Sequence, residues 1–300
     1  MTKIKVANAP CSWGVLEFQL EQEASKFDRV LDEMVQAGYA GTELGDWGFM
    51  PTEPKLLQSE LAKRNLSMLA AFVPVNLSEQ SAHQDGIKDA VKTARLLSEV
   101  SPHPFIVLSD DNGKNALRTK MAGRIKPEHQ LTESQWKTFT SGAEAVARAV
   151  LDETGVKTVF HHHCAGLIET PAEIDRFLQN TNPLLIGLCL DTGHYTFGGG
   201  DAVTGYKKHA DRIWHVHFKD CHKVLANQSR SDDWDYFESV RRGIFCELGK
   251  GEVDFAGVAQ ELKNRDYRGW IVVEQDVLPG MGTPLESAIR NRAFLQNIGI

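Results

Sequence analysis

Short apolar, β-branched runs alternate with longer stretches whose apolar residues recur at helical spacing, and the alternation repeats eight times along the chain. It predicts strands over 3–10, 40–45, 66–73, 104–110, 156–163, 185–191, 212–220 and 269–276. It predicts helices over 23–38, 54–64, 83–99, 132–154, 171–179, 201–209, 253–264 and 284–297. In the first of these helices Phe27, Val30, Leu31, Met34 and Val35 share a face, and Gly38 stops it. Eight βα units without a break in composition predict an α/β fold, a single (β/α)8 TIM barrel over residues 1–300. A doubly wound open sheet would carry a Gly-rich fingerprint after the first strand, and APCSWG (9–14) is not one.

Two segments exceed the usual connections. Residues 109–131 (SDDNGKNALRTKMAGRIKPEHQL) are long and polar and read as a lid over the barrel mouth that contributes polyol contacts. Residues 222–247 form an excursion in which Trp234, Tyr236, Phe237 and Phe245 give aromatic surface to cover the mouth or meet another subunit.

Composition narrows the function. The chain has 300 residues, 42% of them hydrophobic, enough for a barrel-sized core. Its net charge of −7 gives no footprint for nucleic acid or an anionic membrane. No apolar run approaches the ~20 residues of a membrane span, and MTKIKVANAP lacks the apolar segment of a signal peptide. Cys11, Cys164, Cys189, Cys221 and Cys246 are odd in number and scattered, which fits reduced thiols in the cytoplasm.

The chemistry of such a barrel lies where its strands run out. Side chains alternate between the faces of a strand. In RIWHVHFKD (212–220) Trp214, Val216 and Phe218 share one face, expected against the helices, and His215, His217 and Lys219 share the other, inside the barrel. The same parity turns Cys189 and Asp191 inward, and Val272 and Glu274 likewise; His161 and His163 share a face opposite His162. Glu43 ends the second strand, and His194 follows Asp191. Carboxylates and imidazoles from the fifth to the eighth strands thus converge on one mouth. Burying the carboxylates unpaired is costly, and a divalent cation offsets that cost. The mixed nitrogen and oxygen donors suit Mn²⁺, Co²⁺, Fe²⁺ or Zn²⁺ better than Ca²⁺.

Each residue also has a plain structural reading. A single buried histidine is more often a hydrogen-bonded core residue than a ligand. DTGH (191–194) could be a turn capped by Asp191, and Lys219 could pair with Glu274 or Glu43. LGKGEVDF (248–255) lacks the P-loop spacing and reads as a turn, with Asp254 near the start of the next helix.

The order H-x-H after the fifth strand, LDTGH after the sixth, HVHFKD on the seventh and VVEQD on the eighth resembles the xylose isomerase-like barrels over nearly the whole chain. Within them, APCSWG, AGYAGTELG, VFHHH, YFESVRRGIFCELGKGEVDF and GTPLESAIRNRAFL are similar to the inosose dehydratases. The resemblance implies metal positions at Asp191, His217 and Glu274. His161 stands where many epimerases and isomerases of the group carry a glutamate ligand, and His163 is the alternative ligand or a substrate contact. It implies Mn²⁺ or Co²⁺, with Zn²⁺, Fe²⁺ or Mg²⁺ as alternatives, and a homo-oligomer. The implied reaction is dehydration of a cyclic polyol ketone, 2-keto-myo-inositol, in inositol catabolism, by α-proton abstraction and β-hydroxyl loss. Glu43, Lys219, His163 and His194 are the acid and base candidates. A two-base epimerisation needs a base on each face of the substrate carbon, and the strand-five glutamate is missing. The alternatives are a metal-dependent ketose 3-epimerase or sugar isomerase, and a sugar-binding barrel without turnover. A metal-dependent hydrolase of the endonuclease branch would carry a basic face, against the acidic charge of this chain.

Overall fold

A computed structural model describes residues 4–14, 26–277 and 282–300; Lys3 and residues 23–25 of the first expected helix lie outside them. Nine parallel strand segments form one sheet. In chain order the strands are β1 (Lys5–Asn8), β2 (Gly41–Thr42), β3 (Ser67–Met68, continued by Ala70–Pro74), β4 (Phe105–Ser109), β5 (Lys157–His161), β6 (Ile186–Asp191), β7 (Ile213–Phe218) and β8 (Trp270–Val273). β3 is interrupted at Leu69 alone, whose N–H donates to Thr42 O and whose carbonyl accepts from Phe105 N. It therefore pairs with β2 on one side and β4 on the other, and the sheet closes into an eight-stranded barrel.

The helices lie close to the ranges that periodicity predicts, from Phe27–Gln36 to Pro284–Asn297. Three of them start in a capping box, Thr132 with Gln135, Thr170 with Glu173 and Thr283 with Glu286; proline follows the cap in the last two. Leu108, Phe160, Leu190, Val216, Phe218 and Ile271 are buried between strands and helices. The barrel interior is a separate, smaller group that includes Ala7, Val107, Val159, Cys189 and Val272.

Trp214 departs from the expected outward face and packs with the interior group. The register between β6 and β7 shifts at this point, with Leu188 opposite Ile213 and Cys189 opposite His215. The extra residue breaks the two-residue period. The indole lies over Gly187, where a Cβ would come within 2.2 Å of Trp214 Cδ2, so no larger residue fits there. Beyond the bulge the period resumes, and His215 and His217 point inward.

The 222–247 excursion forms helices Lys223–Ser231 and Tyr236–Arg241, and Phe245–Cys246 pairs antiparallel with Asp220–Cys221. Phe197, Ala226, Tyr236, Val240, Ile244 and Phe245 give this cap its own small core. Residues 109–131 hold a helix, Ala116–Met121, anchored by Arg118. The buried guanidinium donates to both Glu173 oxygens (2.8 and 2.9 Å) and to Gly166 O (2.7 Å). Arg124 of the same segment donates to Trp234 O in the excursion (2.8 Å). The amides of Gly249, Gly251 and Val253 converge on the carboxylate of Asp220, which fills the turn at 248–253, and Asp254 caps the next helix through Gly257 N. No described helix is long and apolar enough to cross a membrane.

Candidate functional site

At the C-terminal end of the barrel lies a partly enclosed cavity with a mixed polar and aromatic lining. Glu43, His161, His163, His217, Lys219 and Glu274 line it, together with Cys11, Asp46, Phe72, Tyr236 and Asp276. Strand register sets the cluster. His161 is opposite Cys189 across β5 and β6, Asp191 is opposite His217 across β6 and β7, and Glu274 follows the last residue of β8, its N–H donating to Phe218 O.

His161, Asp191, His217 and Glu274 each offer one donor atom, and these four atoms all lie within 4.8 Å of one another. His161 Nε2 is 3.7 Å from Asp191 Oδ2, and His217 Nδ1 is 3.1 Å from Glu274 Oε1. Asp191 divides its carboxylate. Oδ1 accepts from His194 N (2.8 Å) and caps helix Thr192–Phe197; Oδ2 is buried without a hydrogen-bond partner. His217 Nδ1 is equally buried and unpartnered. Two carboxylates and two imidazoles whose donor atoms cluster this closely, with Asp191 Oδ2 and His217 Nδ1 buried and unpartnered, fit a divalent cation.

Lys219 lies beside this cluster. Its Nζ is 3.3 Å from Asp276 Oδ1 and 3.5 Å from Glu274 Oε2, and it sits over the Phe245 ring. Burial opposes its charge, but Asp276, Glu274 and Asp191 outweigh burial and hold its pKa well above the usual lysine range. It is a charged donor. Its side chain crosses Gly193, where a Cβ would fall 2.7 Å from Lys219 Cγ, which explains the glycine in DTGH.

His161 and His163 are pushed down to about 3, chiefly by burial and then by neighbouring imidazoles. His163 Nδ1 lies 2.6 Å from Cys164 O and donates to it, which leaves Nε2 as an acceptor, 3.5 Å from the Tyr236 hydroxyl. His194 stacks on His163 at 3.8 Å between ring centres, and its Nδ1 accepts from Cys164 N; it braces His163 and does not line the cavity. Glu43 is also committed. Its Oε1 lies 2.7 Å from His215 Nε2 and 2.9 Å from His217 Nε2. Burial alone would raise its pKa, but His217 and His215 hold the carboxyl far below the usual range.

His161, Asp191, His217, Glu274, Lys219 and His163, all expected at one mouth from strand parity, come together in the structure. Asp276 also lines the site and accepts from Lys219; its one signal in the sequence is its position in VVEQD, two residues past Glu274 on the same face. Tyr236, one aromatic of the excursion, lies against His163 with 5.5 Å between ring centres, a contact that no local pattern contains. The lining residues include none from 109–131; the excursion supplies Tyr236. The segment donates to Gly166 and Glu173 through Arg118, to Trp234 of the excursion through Arg124, and to His161 O through Ser109.

A family model described as xylose isomerase-like TIM barrel matches residues 31–298. The chain is 30% identical over 295 residues to the inosose dehydratase of Clostridium tetani, covering 98% of this chain and 97% of that one. It is 29% identical over 292 residues to the inosose dehydratase of Lacticaseibacillus casei, covering 97% and 96%. Among solved structures it resembles the IOLI protein with a bound zinc atom, with a TM-score of 0.70, 14% identity and 98% of each chain covered.

Proposed function

The chain belongs to the xylose isomerase-like TIM barrel family, and on that premise we propose that it is a divalent-metal-dependent hydro-lyase that dehydrates a cyclic polyol ketone, 2-keto-myo-inositol. The observation that carries the reading is the set His161, Asp191, His217 and Glu274, whose donor atoms lie within 4.8 Å of one another beside the charged Lys219, with Asp191 Oδ2 and His217 Nδ1 buried and unpartnered. The likeness to inosose dehydratases over nearly the whole of both chains supports the substrate.

In this reading those four residues hold the ion, which when bound supplies Lewis acidity toward the ketone oxygen. The acceptor nitrogen of His163, on the cavity wall, takes the proton from the carbon beside the ketone. The electron pair of that C–H bond becomes the new C=C bond as the β-carbon releases its hydroxyl. Lys219 is placed to donate to the departing oxygen, which leaves as water. Asp276 keeps the ammonium aimed, and Tyr236 and the cap shield the reacting carbons from bulk water.

The test is NMR in D₂O with 2-keto-myo-inositol and protein loaded in turn with Mn²⁺, Co²⁺ or Zn²⁺. Appearance of a dehydrated dione is the expected result. Deuterium wash-in without loss of water would establish an epimerase or isomerase instead. No change with any ion, despite tight metal binding, would overturn the substrate assignment.

A further inference from the structure

Glu43 stands on the far side of His217 from the other carboxylates. It follows β2, whereas its partners His215 and His217 both belong to β7, 172 and 174 residues later. Both rings aim Nε2 at one oxygen, Glu43 Oε1, at 2.7 and 2.9 Å. An ionised carboxylate oxygen only accepts, so each ring must carry its proton on Nε2. A neutral imidazole has one N–H; with Nε2 protonated, the lone pair of His217 is on Nδ1. That is the atom 3.1 Å from Glu274 Oε1 and 4.0 Å from Asp191 Oδ2, buried without a hydrogen-bond partner.

We infer that Glu43 is a positioning residue that selects the Nδ1 lone pair of His217 for the metal and fixes the plane of its ring. The inference rests on the metal reading above and assigns Glu43 a place outside the proton transfers. His215 is the second half of the device. Its ring packs against Phe105 (5.6 Å between centres) and donates to the same oxygen, so the carboxylate cannot swing away from His217 without breaking a second buried hydrogen bond. A carboxylate on the remote nitrogen also makes the coordinating nitrogen a better donor, and loss of such a partner typically weakens metal affinity roughly 10- to 100-fold.

Because both N–H groups converge on a single oxygen, an amide oxygen can replace it. Glu43→Gln keeps the acceptor and loses the charge; Glu43→Ala loses both. Zn²⁺ affinity would be measured by chelator competition for the full chain and both variants, alongside the histidine ring N–H signals of ¹⁵N-histidine-labelled protein with and without Zn²⁺. The expected result is two slowly exchanging, low-field Nε2–H signals in the unsubstituted protein that vanish in Glu43→Ala, a loss of affinity of about 10-fold or more in Glu43→Ala, and most of both restored in Glu43→Gln. Glu43→Ala binding Zn²⁺ within about twofold of the unsubstituted protein would overturn the inference, since carboxylates that orient a ligating imidazole have far larger effects. So would equal losses in Ala and Gln variants, which would trace the effect to charge. If Glu43→Ala fails to fold, the Gln variant and the N–H signals of the unsubstituted protein still decide. Failure of the unsubstituted protein to bind any ion would sink the metal reading itself; the Nε2–H signals without Zn²⁺ report on Glu43 separately.

Discussion

Nδ1 of His217 lies 4.0 Å from Oδ2 of Asp191, and neither buried atom has a hydrogen-bond partner. The other oxygen of the same carboxylate caps a helix. One residue thus has a structural half and a half free for an ion, and the two separate by experiment. Asp191→Asn keeps an oxygen for His194 N and removes the charge. Its thermal midpoint should stay near that of the unsubstituted protein, since even full loss of a cap costs about 1 kcal/mol. Affinity for Mn²⁺ or Zn²⁺ in chelator competition should fall at least about 100-fold, a larger loss than removal of a ligand's outer partner brings. Unchanged affinity would remove Asp191 from the ligand set.

Lys219 is held charged between Asp276 and Glu274 at the cavity wall. Lys219→Met removes the donor and retains the stem that packs over Gly193. Turnover of 2-keto-myo-inositol should fall by about 10²- to 10⁴-fold, the usual range for a lost proton donor, with metal affinity within tenfold of the unsubstituted protein, as roughly expected where no ligand is removed. A change in KM alone would assign Lys219 to binding.

Arg118 is buried with Glu173 in a two-pronged ion pair that ties residues 109–131 to the barrel. Arg118→Met strands a buried carboxylate. Urea unfolding should show a loss of about 3 to 5 kcal/mol. A loss below about 1 kcal/mol would mean that solvent reaches Glu173 once the guanidinium is gone.

Glu169 is buried, accepts from the N–H groups of Gly123 and Ala165, and is pushed up to about 7, first by burial and against the pull of Arg118. Its folded-state pKa is above its unfolded one, so the folded protein holds the proton more tightly. The associated stability is full below the unfolded value of 4.5 and is lost as pH rises through about 7. The size is roughly 3 kcal/mol at most. Urea midpoints taken between about pH 5 and pH 8 should therefore fall more steeply for the unsubstituted protein than for Glu169→Gln, which cannot ionise. Parallel curves would show that Glu169 does not titrate in this window.

Barrel architecture, helix positions and the inward set His161, Asp191, His217, Glu274 and Lys219 were legible in the sequence, because they follow from local rules. Apolar periodicity marks each element, T-x-x-E and T-x-x-Q mark helix starts, and two-residue alternation assigns a face wherever a strand runs unbroken. Tertiary structure decided what depends on closure. Trp214 turned inward because one bulge between neighbouring strands reset the parity, and no single-strand pattern contains a partner's register. Glu43 meets two imidazoles 172 and 174 residues away because the barrel closes, which no local pattern contains. Lys219 found Asp276, 57 residues on, for the same reason. Local pattern determines which groups face the interior; distances across the barrel decide which atom of each group is spent on a neighbour and which is left for chemistry.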